Sequence, residues 1–169
     1  MITIGDQAPN FSFTNQDGKS ISLGDFSGKY VLLWWYPTAD TPGWTIEGNG
    51  FRDRIQDFSD KNCEIVGVSF GSDADNKAFK AKAEYPYDLL TDNDKSASTA
   101  FGVITSDTGK PNRVSVLIAP DGTIAKTYSS VAPAEHADEV LTDLADMTWQ
   151  CPTSFITGRW SKDEERWFA

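Results

Sequence analysis

The spacing of hydrophobic residues changes along the chain and predicts both strands and helices. Apolar residues alternate with polar ones at 11–14 and again at 21–23, on either side of the turn sequence Asn-Gln-Asp-Gly. This arrangement predicts a β-hairpin near the N-terminus. The segment 30–36 is apolar on both faces, which is typical of a central strand covered by helices on each side. The segment 64–70 predicts the next buried strand.

Apolar residues at helical spacing, among them Phe51 and Phe58, predict a helix over about 42–59. Asp73 is the predicted N-cap of the next helix. The remaining predicted elements are a short strand at 87–90, a short helix at 96–101, a hairpin of strands 114–118 and 123–128, and a last helix with Ala137, Val140, Leu141, Leu144 and Met147 on one stripe. This order of elements predicts one layered α/β domain with a mixed sheet.

The composition is that of a single globular domain. The 169 residues are 39% hydrophobic and 12% aromatic, which is enough for one full core and too apolar for a disordered chain. The formal net charge of −10 argues against nucleic acid or an anionic membrane as a partner, because phosphate groups would be repelled. No apolar run has the length of a membrane span, and residues 1–6 lack a basic start followed by an apolar core. A cytoplasmic location is therefore predicted.

Cysteine and histidine are scarce. Two cysteines and one histidine do not suit a disulfide scaffold, a zinc site or metal catalysis, and no cofactor is predicted. Cys63 opens a predicted strand and is interpreted as a small core residue. Cys151 follows the last helix and is interpreted as an exposed free thiol, with a resolving or interchain role as the alternative. His136, at the edge of an apolar stripe, is interpreted as a surface or boundary residue.

The segment between the central strand and the first long helix carries the strongest chemical signal. Thr41 followed by Pro42 predicts a helix N-cap and a first helical position, so residue 44 falls at the third. Unpaired backbone N–H groups and the positive end of the helix dipole stabilise an anion there. A cysteine at this position would have a lowered pKa, with the Thr41 hydroxyl and a nearby arginine as further donors. The residue present is Trp44.

These residues resemble a known motif. Pro37 and Thr41, with position 44 three residues later, match the motif that surrounds the peroxide in peroxiredoxins, and the longer stretch is similar to the bacterioferritin comigratory protein, or peroxiredoxin Q, branch. Further matches, in the family's order, are Glu64–Ser69, Ala100–Val103, Arg113-x-Ser115 with Asp121-Gly122, and His136-x-x-Glu139-Val140-Leu141. The resemblance covers roughly residues 4–147. It implies a thioredoxin-like α/β fold over residues 1–148, with a central mixed β-sheet, flanking helices and an N-terminal β-hairpin.

The resemblance also implies an activity. In peroxiredoxins a thiolate attacks the O–O bond of hydrogen peroxide or an alkyl hydroperoxide and becomes a sulfenic acid. A threonine and an arginine hold the peroxide oxygens, and these correspond to Thr41 and Arg113 here, with Pro37 beside them. Glu47 resembles the branch's glutamate near the arginine. The expected reductant is a thioredoxin- or glutaredoxin-like protein, and the expected assembly is a monomer or homodimer.

Two departures from the family pattern bear on that activity. The peroxidatic position is Trp44, whose indole is not a nucleophile, and the resolving position is Asn49. Three explanations stay open: a pseudoenzyme that keeps the fold for binding or structure, a written sequence that differs from the natural product, or a role taken over by another cysteine. The tryptophan codon UGG is one base from both cysteine codons and from UGA, which can be read as selenocysteine.

The C-terminal tail, 149–169, differs in character from the domain. Its aromatic residues stand among polar residues without a steady period, at Trp149, Phe155, Trp160, Trp167 and Phe168. Such aromatics are interpreted as packing on the parent domain, with a dimer contact as the alternative.

Overall fold

The computed structural model describes residues 2–104, 113–149, 160–161 and 166–167. Its main strands are β1 (Ser12–Asn15), β2 (Ser20–Ser22), β3 (Tyr30–Trp35), β4 (Cys63–Ser69), β5 (Asp88–Thr91), β6 (Ser115–Ile118) and β7 (Ile124–Tyr128). Its helices are α1 (Pro42–Asp53), α2 (Ile55–Asp60), α3 (Asp73–Ala83), α4 (Ser96–Ala100) and α5 (His136–Trp149). A turn of 3-10 helix, Leu23–Phe26, follows β2.

These strands form one mixed sheet in the order β2-β1-β5-β4-β3-β6-β7. The inner strand β3 pairs in parallel with β4 and antiparallel with β6. The predicted N-terminal hairpin is formed by β1 and β2, and the second predicted hairpin by β6 and β7. The α/β class, the mixed sheet and both hairpins predicted from the sequence are therefore confirmed.

Hydrophobic clusters lie on both faces of the sheet, because successive side chains of a strand point to opposite sides. Leu32 and Trp34 of β3 pack with residues of α1, α2, α3 and α5. Leu33 and Trp35 pack on the other face with α4 and the N-terminal hairpin. The central strand is thus covered on both sides, as its unbroken apolar run predicts. Its end leads directly into the loop before α1, where the chemical motif lies.

The helix predicted over 42–59 is divided into α1 and α2 at Arg54. This residue has φ of −110° and ψ of 14°, outside the helical region, so the hydrogen-bonded ladder stops and starts again. Its guanidinium binds the carboxylates of Asp57 and Asp138. The predicted extent of the helix was therefore right, but its continuity was wrong.

Two element ends also differ from the prediction. Leu23 begins the 3-10 turn instead of extending β2. The N-cap of α3 is Ser72 rather than Asp73, because the Ser72 hydroxyl accepts a hydrogen bond from the backbone N–H of Asp75. Both corrections move an element boundary by one residue and leave the topology unchanged.

The last helix, α5, ends at Trp149, one residue beyond the predicted domain boundary at 148. Of the predicted tail after it, the structure describes a short antiparallel pair, Trp160–Ser161 with Arg166–Trp167. The predicted packing of the tail on the domain falls on residues outside the described part, so the division into domain and tail stays a prediction. In the part of the chain that is described, no helix has both the length and the apolar character needed to cross a membrane.

Candidate active site

The first turn of α1 presents residue 44 as the sequence predicts. Thr41 is the N-cap in extended conformation (φ −94°, ψ 142°), Pro42 is the first helical residue and Trp44 is the third. The Thr41 carbonyl accepts hydrogen bonds from the backbone N–H and the hydroxyl of Thr45, each at 2.9 Å. The Thr41 hydroxyl donates to the Thr38 carbonyl at 3.2 Å and does not cap the helix. The N–H groups of this turn therefore keep their capacity to bind an anion.

Arg113 reaches position 44 from the segment just before β6. Its guanidinium carbon lies 3.9 Å from the centroid of the Trp44 ring, which makes a cation–π stack. Its Nη1 donates a 3.3 Å hydrogen bond to the carbonyl of Gly43. A β-carbon at residue 43 would stand 2.9 Å from Nη2, so the guanidinium can lie here because glycine has none. The structure thus brings together residues 44 and 113, as the motif predicts.

Glu47 holds Arg113 in this position. It lies one turn further along α1 and is 1% exposed, and its Oε2 accepts a 3.1 Å hydrogen bond from Arg113 Nη1. Burial raises the pKa of Glu47 to about 7, while the charge and the hydrogen bond of Arg113 act in the opposite direction. When it is ionised, Glu47 therefore fixes the guanidinium through a charge-assisted hydrogen bond.

Comparisons with known proteins identify the family of the chain. The model of the AhpC/TSA family matches residues 4–127, well over half of the chain. The chain belongs to the AhpC/TSA family. It is 34% identical over 142 residues to the chloroplastic peroxiredoxin Q of Suaeda salsa, a match that covers 83% of this chain and 66% of the plant protein. It is also 34% identical over 153 residues to peroxiredoxin Bcp of Bacillus subtilis (strain 168), covering 87% of this chain and 98% of that protein.

Solved structures of peroxiredoxins share the fold. A mutant of Xylella fastidiosa PrxQ superposes with a TM-score of 0.82 at 28% identity, covering 88% of this chain and 98% of the other. The membership in the peroxiredoxins and the thioredoxin-like fold that the resemblance implied are thus confirmed. The matched region spans just under two thirds of the length of the Suaeda salsa relative.

In this peroxiredoxin-family chain an indole stands at residue 44, the position that the motif assigns to the reacting sulfur. Trp44 is half-buried and packs against the hydrophobic cluster that contains Trp34 and Phe51. An indole N–H donates hydrogen bonds, but the ring carries no nucleophile that could attack an O–O bond. The ring also covers one face of the Arg113 guanidinium. The residues that the motif predicts around position 44 therefore surround an indole and not a thiol in this structure.

Pro37 lies in the loop between β3 and α1. It lines a cleft of about 510 Å³ together with other residues of the same loop and residues of α3 such as Phe79. The lining of this cleft includes neither Trp44 nor Arg113. The structure therefore places Pro37 in this cleft, four residues before Thr41 in the chain.

The other residues considered for thiol chemistry have separate environments. Asn49, which the resemblance predicts at the resolving position, has its side-chain Oδ1 buried with no hydrogen-bond partner among the described residues. Cys63 is 4% exposed at the start of β4, and burial raises the pKa of its thiol to about 12. The prediction that Cys63 is a core residue is confirmed. Cys151 lies outside the described residues.

His136 is the residue that sequence reasoning misplaced. It is the first residue of α5 and is 0% exposed, so its interpretation as a surface or boundary residue is wrong. Its Nε2 lies 2.9 Å from Ser115 Oγ and 3.8 Å from Glu47 Oε1, and its Nδ1 lies 3.4 Å from Glu139 Oε2. The apolar stripe marks α5 as amphipathic, but only the packing of α5 against α1 shows which way His136 faces. Within 2–104 and 113–149, no three acidic, cysteine or histidine side chains are arranged to hold a metal ion.

Proposed function

We propose that this site reduces hydrogen peroxide and alkyl hydroperoxides when residue 44 carries a thiol or a selenol, and that a chain with tryptophan there does not. The observation that carries the proposal is the Arg113 guanidinium, 3.9 Å from the side-chain ring of residue 44 at the N-terminal turn of α1. A helix N-terminus and a fixed guanidinium both stabilise negative charge. Peroxide reduction places such charge first on sulfur or selenium and then on the leaving oxygen.

The proposed reaction transfers one electron pair. The thiolate or selenolate of residue 44 attacks one peroxide oxygen, so that an S–O or Se–O bond forms while the O–O bond breaks. The leaving oxygen takes up a proton and departs as water or an alcohol, and residue 44 becomes a sulfenic or selenenic acid. An external dithiol then reduces it in two thiol steps, releasing water and forming a disulfide in the reductant.

The supporting residues of this chain have distinct roles in that step. Arg113 donates N–H groups to the peroxide oxygens while Glu47 keeps its guanidinium in place. The Thr41 hydroxyl, which donates to the Thr38 carbonyl, can turn to donate to a bound peroxide. Pro37 fixes the backbone of the loop that leads into α1. Because residue 49 is asparagine, the resolving thiol in this proposal belongs to an external thioredoxin- or glutaredoxin-like protein, with Cys151 as the alternative.

Cysteine or selenocysteine is the natural residue 44 that this proposal favours. An arginine held by a buried glutamate gives an indole a cation–π contact, whereas it stabilises the full charge of a thiolate or selenolate directly. Transfer of the role to Cys63 is not supported, because burial raises the pKa of that thiol to about 12. Codon 44 in the source gene decides the matter: a UGA codon with a selenocysteine insertion hairpin, or a cysteine codon, would support the proposal. A UGG codon in native DNA would reject the hypothesis that residue 44 is a recoded selenocysteine.

A binding or structural protein of the same fold is the second candidate. The stack of Trp44 on Arg113 favours it for the chain as it stands, because the indole covers the guanidinium that would receive a peroxide. A chain of this kind would keep the peroxiredoxin surface for a protein partner and lose the chemistry.

The remaining properties belong to the same proposal. Peroxide is the substrate and an external dithiol protein the partner, and the chain acts as a monomer or homodimer without metal or cofactor. The net charge of −10 supports the absence of nucleic acid and anionic membrane partners. A cytoplasmic location stays a prediction, since plant relatives such as that of Suaeda salsa are named as chloroplastic.

The acidity of a thiol at residue 44 tests the proposed function without any peroxide. In Trp44→Cys, the pKa of the new thiol should lie roughly 1–3 units below the value of about 8.5 for free cysteine. The causes are the N-terminal N–H groups of α1 and the charge of Arg113. The pH dependence of alkylation by iodoacetamide measures this value, with the alkylation of the parent chain subtracted to remove the contribution of Cys151.

The matched control adds Arg113→Gln to the same variant. Its thiol should titrate at a higher pH than that of Trp44→Cys alone, because the full positive charge is gone while the helix N-terminus remains. A folded Trp44→Cys chain whose thiol titrates like free cysteine would overturn the proposed function.

A further inference from the structure

The cleft lined by Pro37 has no role in the peroxide chemistry proposed above. Its volume of about 510 Å³ lies between the loop before α1 and helix α3, within the range of ~300–1,000 Å³ in which proteins bind ligands. Apolar residues line it from both sides: Ala39 belongs to the loop, Phe70 follows β4, and Ala78 and Phe79 belong to α3. Phe79 is buried, Phe70 is half-buried and Ala78 is exposed. The cleft therefore offers an apolar surface that a ligand can reach.

The charged residues of this cleft leave one carboxylate without a cation. Lys82 of α3 binds Asp40 of the loop, so these two charges are paired. The third charged residue of the lining is Asp75, which accepts a 2.9 Å hydrogen bond from the N-cap hydroxyl of α3. The lysines of α3 are all paired with other carboxylates, and Lys95, 5.1 Å from the centroid of the Phe70 ring, is not part of the lining. The cleft thus favours a ligand with a cation next to an apolar group.

The cleft and residue 44 share a loop and a hydrophobic cluster. The loop residues that line the cleft, 37–40, lead directly into Thr41, the N-cap of α1. Ala39 and Trp44 both pack against the hydrophobic cluster that contains Phe79. A protein seated in the cleft therefore lies next to residue 44 along the same loop.

We propose that this cleft is the docking surface for the external dithiol protein, which inserts an apolar side chain and places a lysine or arginine beside Asp75. The inference rests on the proposed function, because that function requires the thiol of another protein to reach residue 44. The tail of an alkyl hydroperoxide is the competing occupant. Such a tail is apolar or anionic, so it would leave the Asp75 carboxylate without a cation.

The test measures how fast a thioredoxin reduces a mixed disulfide at residue 44, so it needs no peroxide. The thiol of Trp44→Cys, in a chain that also carries Cys151→Ser, is first joined to thionitrobenzoate. The two thioredoxin thiols then attack in turn, which restores the thiol at residue 44, releases thionitrobenzoate and leaves a disulfide in thioredoxin. The absorbance of thionitrobenzoate gives the rate constant. Dithiothreitol is the reference reductant, because it is too small to need a docking surface.

Residue 78 carries the decisive variants, because Ala78 is exposed on α3 and both replacements are good helix formers. Ala78→Lys should lower the rate constant with thioredoxin about fivefold, because the added charge repels the partner's cation. Ala78→Glu, with the opposite charge, should raise it about twofold. The matched control Ser59→Lys adds the same charge to an exposed position of α2, which precedes β4, whereas the cleft follows its end. It should leave the rate constant unchanged.

The apolar part of the cleft has a test of its own. Phe70→Ala removes the half-buried ring and should lower the rate constant with thioredoxin roughly tenfold, as the loss of an apolar anchor does in protein interfaces. Its rate with dithiothreitol should stay at the parent value. A loss that is equal with both reductants would mean that the variant disturbs residue 44 itself, and it would overturn the docking surface.

The remaining outcomes identify other occupants or overturn the surface outright. Equal rates for Ala78→Lys and Ala78→Glu overturn it, and so does a thioredoxin that is no faster than dithiothreitol on the parent adduct. If Ala78→Lys instead converts a dimer into a monomer in sedimentation equilibrium, a second copy is the occupant. If only the joint change Trp160→Ser and Trp167→Ser raises the rate constant, the C-terminal tail is the occupant.

Failure of the proposed function is distinguishable from failure of this inference. A Trp44→Cys chain that consumes no peroxide with dithiothreitol rejects the proposed function. Opposite effects of Ala78→Lys and Ala78→Glu on the mixed disulfide would still support the docking surface in that case. Peroxide consumption with dithiothreitol, together with equal thioredoxin rates for these two variants, would keep the proposed function and reject the docking surface.

Discussion

A chain with cysteine in place of Trp44 is expected to reduce hydrogen peroxide roughly 10²–10³-fold faster than free cysteine at the same pH. The N-terminal turn of α1 favours the thiolate, and Arg113 stabilises the charge that develops on the leaving oxygen. The chain with Trp44 should consume no peroxide beyond the background of the reductant, because an indole is not a nucleophile. Initial rates of peroxide consumption with excess dithiol measure both chains.

Three further variants test whether the increased peroxide rate of Trp44→Cys comes from this site. Trp44→Ser removes the indole without adding sulfur and should stay inactive. Arg113→Gln in the Trp44→Cys background should remove about 10²-fold of the gained rate, because a fixed charged donor to the leaving oxygen is lost. Cys151→Ser in that background should leave the peroxide step unchanged. A folded Trp44→Cys chain that reacts no faster than free cysteine would contradict the prediction.

Replacing Gly67 by alanine is expected to destabilise the fold by about 3 kcal/mol, at the upper end of the range for an overpacked core. Gly67 lies in β4 between Trp34 of β3 and Leu89 of β5, which are its direct neighbours in the sheet. A β-carbon there would stand 2.7 Å from Leu89 Cδ2, 3.0 Å from Tyr36 Cε1 and 3.3 Å from the Trp34 ring. All three side chains are fully buried. None can move aside without displacing the centre of the sheet.

Gly71→Ala is the matched control, because its new methyl group would meet nothing closer than 3.8 Å. We expect its free energy of unfolding to stay within about 0.5 kcal/mol of the parent value. Thermal unfolding should show a Tm lower by about 6–12 °C for Gly67→Ala and little change for Gly71→Ala. Equal stabilities of the two variants would mean that the sheet accommodates a side chain at residue 67.

Much of the fold was predictable because local signals and tertiary packing agree. The unbroken apolar run before Pro37 favoured a strand buried on both faces, and the Thr41-Pro42 pair indicated the start of α1. The break at Arg54 was not predictable, because the apolar spacing continues through it. Its backbone leaves the helical region where its side chain binds Asp57 and Asp138, and the second contact depends on the docking of α5.

The positions of site residues were predictable where the motif includes them. They were not predictable where they depend on packing between elements that are distant in sequence. The approach of Arg113 to position 44 and of Glu47 to Arg113 followed from the resemblance. The burial of His136 did not follow from it. A histidine that begins an amphipathic helix can face solvent or core, and only the contact of α5 with α1 places it 3.8 Å from Glu47. Composition and periodicity contain no information about that contact.

Because residue 43 is glycine, substitutions at residues 43 and 44 have different consequences for Arg113. The guanidinium of Arg113 lies where a methyl group on residue 43 would be, and it stacks on the large side chain of residue 44. The tryptophan codon UGG differs from each cysteine codon by one base, so a cysteine can arise at residue 44 in one step. A side chain at residue 43 would instead clash with the guanidinium of Arg113 and displace it. A cysteine at residue 44 of such a chain would have a thiol but would lack the arginine beside it.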